Sequence, residues 1–347
     1  MKTQKPPGDV PLHEWAALYD AAVAFKQLGC WEWMYDSDLF GVQNPETGEV
    51  GYCCVLGNLG EVFALNVYPG AEGLESYWAL HELHEDPASD VPLDAQALLG
   101  SQKCLMASFE DRADLHKTDV RLIRELGLQF RGKKAWPLFR NYLPGFLPWF
   151  LTSREEVRFL TVALQQAQDV ALKMKENPDY LTPPEDDKEL YLVRVRQDER
   201  WQDTWQEPAG YEPPRTTPVI NDALLHQLQH ARLPREGTWE ADCLLLPMAV
   251  QEGARPFYPY ALIVVSESGM PLGLELLKPG TQGREVPNKF MELLQREQRL
   301  PQTLLVGSDQ TFTLLEPVAA RLGFAIQQTE DLPVLRFFLE HFGQDSR

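Results

Sequence analysis

Seven prolines lie between positions 178 and 218 (Pro178, Pro183, Pro184, Pro208, Pro213, Pro214 and Pro218), and they constrain this chain more than any other feature. Proline fixes φ and offers no backbone N–H, so a segment this rich in it interrupts helices and sheet interiors alike. One alternating run, residues 190–195, survives within it and reads as a strand that completes the domain before it. The chain therefore divides into an N-terminal α+β domain over 1–207, a proline-rich linker with a short helix over 208–238, and a C-terminal domain over 239–347. Two domains also suit 347 residues, at about 100–200 residues each.

Composition narrows the class. With 44% hydrophobic and 24% charged residues the chain has enough apolar material for packed cores and is neither disordered nor membrane-spanning in type. No stretch approaches the roughly 18 apolar residues of a membrane helix. The first eight residues are basic but have no apolar run behind them, so they do not read as a secretory signal. Cys30, Cys53, Cys54, Cys104 and Cys243 are odd in number and none stands in a C-x-x-C pair, which points to reduced, mostly buried thiols and a cytoplasmic location. A net charge of −19 repels phosphate backbones and anionic lipid, which disfavours nucleic acid and membranes as partners.

In the N-terminal part, apolar residues from Leu12 to Phe25 recur at three and four spacings and predict a helix over 12–27. Residues 40–43, 50–56 and 62–68, separated by Pro- and Gly-bearing turns, predict a three-stranded meander. Helices are expected over 73–84 and 119–126 with a strand over 104–109 between them. A long helix is expected over 148–176, with Thr152 or Ser153 as cap, acids in its first turn and Asn177-Pro178 as its stop.

From residue 239 onward the expected order is strand over 241–249, strand over 260–266, a Gly-bearing hairpin turn and strand over 270–277. Helix 286–296, strand 303–306, helix 311–322 closed by Gly323, strand 324–328 and helix 332–342 follow. This βββαβαβα order resembles the ribonuclease H-like fold shared by retroviral-type integrases and many transposases, so the fold class expected is α+β with a mixed C-terminal sheet. The resemblance implies a first catalytic acid on the first strand, a second just past the fourth and a third at the last helix. Asp242, Asp309 and Glu330 or Asp331 occupy those places, and hard carboxylate oxygens of this kind would suit Mg²⁺ or Mn²⁺. Against that chemistry, residues 240–347 hold nine Lys and Arg against fourteen Asp and Glu, so the basic surface a nuclease uses is missing. Asp242 also stands near the expected strand start, and Ser308-Asp309 suits a helix cap.

Across its whole length the chain is similar to an uncharacterised bacterial two-domain family. The likeness rests on Trp31-Glu32-Trp33-Met34-Tyr35-Asp36, Phe40-Gly41-Val42, Gly51-Tyr52-Cys53-Cys54-Val55-Leu56-Gly57, Gly60-Glu61 and Gly73-Leu74-Glu75-Ser76-Tyr77. It implies no activity and assigns no site residues.

Other constellations have plainer readings. His226 and His230, four apart on a helix, could share a Zn²⁺, but no third ligand is identifiable and a solvated polar face explains them. His81 and His84 have the wrong interval for a zinc-protease motif. In a strand, Cys53 and Cys54 point to opposite faces, which packs one thiol and leaves the other open to solvent. Ser266, Ser268 and Ser308 lack a nucleophile-elbow setting, and Gly280–Glu285 lacks the glycine spacing and lysine of a phosphate loop. The aromatic stretch from Trp136 to Phe150 would pack between the domains, or else line a pocket or partner surface. The sequence thus favours a non-catalytic binding or regulatory protein acting on a protein or small molecule, with no cofactor. The alternative is a divalent-metal nuclease or phosphoryl-transfer enzyme using Asp242, Asp309, Glu330 and Asp331 with Mg²⁺ or Mn²⁺.

Overall fold

The computed structural model of the chain describes residues 9–85, 100–184, 189–213, 215–246, 248–253 and 255–342. The basic residues 1–8 considered above lie outside them. The architecture is α+β in two compact units, one comprising Met1–Pro144 with Pro148–Glu212 and the other Gly145–Leu147 with Pro213–Arg347. No described helix is long and apolar enough to cross a membrane.

The first unit is built on a sheet of order β5-β4-β3-β2-β1-β6-β7. Strands β1 (Phe40–Gln43), β2 (Val50–Leu56), β3 (Ala64–Pro69), β4 (Cys104–Glu110) and β5 (Trp136–Tyr142) are successive antiparallel neighbours. β6 (Tyr191–Gln197) joins parallel to β1, and β7 (Arg200–Gln206) folds back on β6 as the far edge. Among the described residues four α-helices accompany them: α1 (Leu12–Leu28), α2 (Gly70–Glu85), α3 (Lys117–Glu125) and α4 (Arg154–Glu176).

Strand β2 shows how the sequence sets the layers. Successive side chains alternate faces, and both faces of this strand are apolar. Cys53 and Val55 join the core made with α1 and α4, whereas Tyr52 and Cys54 pack with Leu74 and Tyr77 of α2. Covering on both sides buries both thiols, which corrects the expectation that one of the pair is accessible. Gly51 lets α4 approach closely: a Cβ there would stand 2.6 Å from the Phe159 ring.

Helix α4 begins at Arg154, six residues later than the spacing suggests, because the preceding backbone is engaged elsewhere. Trp149 and Asn141 exchange backbone hydrogen bonds at 2.8 and 3.0 Å, so this stretch pairs with β5 instead of coiling. Ser153 then caps the helix: its Oγ accepts the Glu156 N–H, and Glu156 Oε2 accepts the Ser153 N–H.

The second unit has the sheet order β10-β9-β8-β11-β12. β8 (Thr238–Leu245), β9 (Tyr260–Ser266) and β10 (Pro271–Leu277) are antiparallel, β11 (Thr303–Val306) lies parallel to β8, and β12 (Ala325–Gln328) parallel to β11. One sheet face, carrying Trp239, Ala241 and Cys243, packs against α5 (Asp222–Ala231), α6 (Gln282–Glu297) and α7 (Asp309–Leu322). The opposite face, carrying Ala261, Ile263 and Val265, meets Leu335 of α8 (Pro333–Phe342). The expected βββαβαβα order is the order found.

Candidate functional site

Strand β8 lies at the centre of its sheet and carries two acids, Glu240 and Asp242, on one face, since residues two apart in a strand point the same way. β8 starts at Thr238, so Asp242 stands in the middle of the strand and not beside its start; Thr238 and Trp239 pair with β11 and extend the strand backwards. Both acids are buried, Asp242 at 6% and Glu240 at 5% exposure.

Burial of a carboxylate is tolerated only when its oxygens find donors. Asp242 Oδ1 accepts the hydroxyls of Ser308 and Thr311, each at 2.6 Å, and the Cys243 N–H at 2.9 Å. Ser308 is the N-cap of α7, where its Oγ also accepts the Thr311 N–H, and Thr311 is wholly buried in the first turn. Glu240 behaves alike: its Oε2 accepts the Leu335 N–H in the first turn of α8 at 2.8 Å. Each acid of β8 thus sits at the positive end of a helix and satisfies groups that helix start leaves open. Gly307 completes the fit, because a Cβ there would lie 2.5 Å from Asp242 Oδ2.

The other acids singled out by sequence are placed differently. Asp309 is exposed in the first residue of α7, and Glu330 and Asp331 are exposed before α8, where Asp331 faces Arg336 at 3.9 Å. Among the described residues no group of three or more His, Cys, Asp or Glu side chains is arranged to hold a metal ion. The donors around Asp242 are two hydroxyls and an amide N–H, all directed at Oδ1, and Asp309, Glu330 and Asp331 do not gather with it into a group of three that could hold Mg²⁺ or Mn²⁺.

His226 and His230 are exposed and touch ring to ring, centroids 4.1 Å apart and planes inclined at 36°, with His230 Nδ1 lying 2.8 Å from the His226 carbonyl. Of the glycine-bearing stretch at 280–285 only Gly280 and Thr281 precede α6, while residues 282–285 form its first turn, four residues earlier than the sequence suggests, and the Gly283 carbonyl accepts the Val219 N–H. The aromatic stretch becomes strand β5 as far as Tyr142, with Phe139 in the first unit's core, while Phe146 pairs with Phe257 inside the second unit. Ser266 and Ser268 hydrogen-bond each other at 2.9 Å in the β9–β10 turn.

Sequence reasoning passed over Glu240, Gly307 and Thr311. Two acids in alternation inside an otherwise apolar strand, Trp239-Glu240-Ala241-Asp242-Cys243, are the signal that marks Glu240, whereas Gly307 and Thr311 carry no such signal. It also passed over a charge node in the first unit. Glu14 of α1 is 7% exposed and accepts from Arg154 at 2.5 Å and Arg158 at 2.6 Å, both on α4. The Arg154 hydrogen bond, helped by Arg158 and opposed by burial, holds the Glu14 carboxyl down to about 2.

Fold and site together define a two-domain α+β protein whose second sheet carries paired, internally satisfied acids. The chain belongs to the family described as domain of unknown function (DUF7309), which matches residues 15–194. A second domain of unknown function (DUF6930) matches residues 224–343. No curated protein matches the chain. Among solved structures, it is similar to a chain of the simian T-cell lymphotropic virus intasome in complex with PP2A regulatory subunit B56 gamma, at 10% identity and a TM-score of 0.23. The match covers 53% of this chain and 58% of that one, a likeness too poor to bear on function.

Proposed function

We propose that this is a non-catalytic binding or regulatory protein, acting on a protein or small-molecule partner, whose C-terminal unit has a ribonuclease H-like topology without its reaction. The strand order, three antiparallel strands followed by two parallel ones, supports the topological part of that reading. The observation that carries the functional part is the Asp242 carboxylate, whose Oδ1 is committed to Ser308 and Thr311. An acid that works on a metal must turn lone pairs toward it; this one turns an oxygen toward two helix-start hydroxyls. The acidic balance of the chain, at −19, supports a partner other than nucleic acid. Five buried, unpaired cysteines support the cytoplasmic location that belongs to the same reading.

The test is a cleavage assay on single- and double-stranded DNA and RNA with Mg²⁺ or Mn²⁺, run on the full chain and on Asp242→Asn. No metal-dependent cleavage is expected from either protein. Cleavage by the wild type that Asp242→Asn abolishes would establish instead the nuclease reading through Asp242, Asp309, Glu330 and Asp331.

A further inference from the structure

The first unit contains a recess of about 410 Å³ beside the β1–β2 turn, bounded by α1, α4 and β6. That volume is in the range of small-molecule sites. Its two kinds of lining matter separately. Ala17, Pro45, Phe159 and Val162 give an apolar wall, and the charged part of the lining holds Arg158 and Arg196 together with Glu14 and Glu46, both of which Arg158 binds.

The two cations differ in what they already hold. Arg158 is bound to Glu14 and, through Nη1 at 2.9 Å, to Glu46, a pair that is about half exposed. Arg196 is exposed, and among the described residues no acid lies within ion-pair distance of it. The contrast with Arg194 is direct. Arg194, two residues earlier on the same face of β6, is buried and spends its guanidinium on Gln166, Asp169 and Asp203. Glu199 borders the adjoining depression with Arg196 and makes no ion pair with it. In a chain with net charge −19, an exposed guanidinium that holds no acid, lining the same recess as an apolar wall while Arg158 occupies the two acids there, is a receptor for an anion. The apolar wall selects among anions: it adds nothing for inorganic phosphate and rewards a ligand that carries an apolar body.

We propose that this recess binds a small amphipathic carboxylate, its head pairing with Arg196 beside Arg158 and its apolar body lying on Ala17, Pro45, Phe159 and Val162. The proposal deepens the binding reading given above and rests on it. Asn44, nearly fully buried and part of the lining, has its Oδ1 taken by the Glu46 N–H at 3.0 Å, which fixes the turn that borders the recess.

The test is calorimetric titration of the full chain with 3-phenylpropionate, its neutral amide and inorganic phosphate, repeated on Arg196→Ala and Arg196→Lys. The acid is expected to bind, with the amide, phosphate and Arg196→Ala each weaker by about tenfold or more and Arg196→Lys between them. Arg196 is exposed, so its variants should melt with the wild type. No heat from the acid at millimolar concentration, equal binding of acid and amide, or undiminished binding by Arg196→Ala would each overturn the proposal. Phosphate binding as well as the acid would overturn the part assigned to the apolar wall. Running the metal-dependent cleavage assay on the same preparations separates the two claims: absent cleavage with absent binding removes this site alone, whereas Asp242-dependent cleavage removes the non-catalytic reading whatever the titration shows.

Discussion

Thr311 donates its hydroxyl to Asp242 Oδ1 at 2.6 Å across 69 residues of sequence, joining the first turn of α7 to the middle of the central strand. The same hydroxyl accepts the Cys243 N–H at 3.1 Å. Sheet and helix are therefore tied by one buried side chain at a point where neither has water to fall back on.

Thr311→Val keeps the shape and removes the hydroxyl. A hydrogen bond to a charged, buried acceptor is worth about 1.5–3 kcal/mol, so unfolding stability should fall by about 2 kcal/mol with no change in fold. Urea denaturation followed by circular dichroism measures it. A loss under about 0.5 kcal/mol would mean the Asp242 carboxylate is satisfied without Thr311.

Glu240→Ala should act on α8 more than on the rest of the second unit. The Leu335 N–H loses its acceptor while remaining buried, and an unpaired buried donor costs about 1–3 kcal/mol. Hydrogen exchange resolved by residue should show Leu335 and the amides after it exchanging faster, with β8 and β9 still protected. Unchanged protection at Leu335 would show that another acceptor holds α8.

Glu14 gives the first unit an acid-sensitive joint. Its folded pKa, about 2, lies below the ordinary carboxylate value near 4.5, so the stability it contributes is present above that ordinary value and is lost as pH falls toward 2. Glu14→Gln should be less stable than the wild type at pH 7, and the gap should close between about pH 5 and pH 2. Denaturant midpoints of the two proteins across this range check the sign. A gap that widened on acidification would contradict the pairing of Glu14 with Arg154 and Arg158.

The five thiols should be silent in the folded protein. Burial pushes Cys30 and Cys243 up to about 12 and raises Cys53, Cys54 and Cys104 as well, so none supplies thiolate at neutral pH. A disulfide reagent should find no fast-reacting thiol in native buffer and all five in guanidinium chloride. Prompt labelling of Cys54 in the native state would mean that the α2 face of the sheet opens.

How much of this was legible in the sequence depends on how strongly each element declares a period. The second unit's strands and helices were readable because continuous apolar runs such as Ala261–Val265 alternate with long amphipathic stretches. Two strands of the first unit were not. In β5, Trp136–Tyr142, Pro137, Arg140 and Asn141 interrupt the apolar pattern, and the pairing with β4 comes from tertiary context. β7, Arg200–Gln206, is an edge strand with Arg200, Gln202 and Asp203 exposed or charged, so it has no buried face to announce. At the candidate site, Asp242 was visible as an acid in an apolar strand, yet its partners were not, because Ser308 and Thr311 reach it only when β11 pairs parallel to β8. The recess at Arg196 left no trace at all: its residues come from four separate stretches of chain that only the fold assembles.

The most direct test of the central claim is a Mn²⁺ titration of the full chain, followed by electron paramagnetic resonance of the free ion, with Asp242→Asn alongside. If Asp242 is a structural acid held by Ser308 and Thr311, the free-ion signal should track added Mn²⁺ equally in both proteins, and Asp242→Asn should differ only in melting at lower temperature. Stoichiometric loss of the free-ion signal in the wild type, abolished by Asp242→Asn, would contradict it.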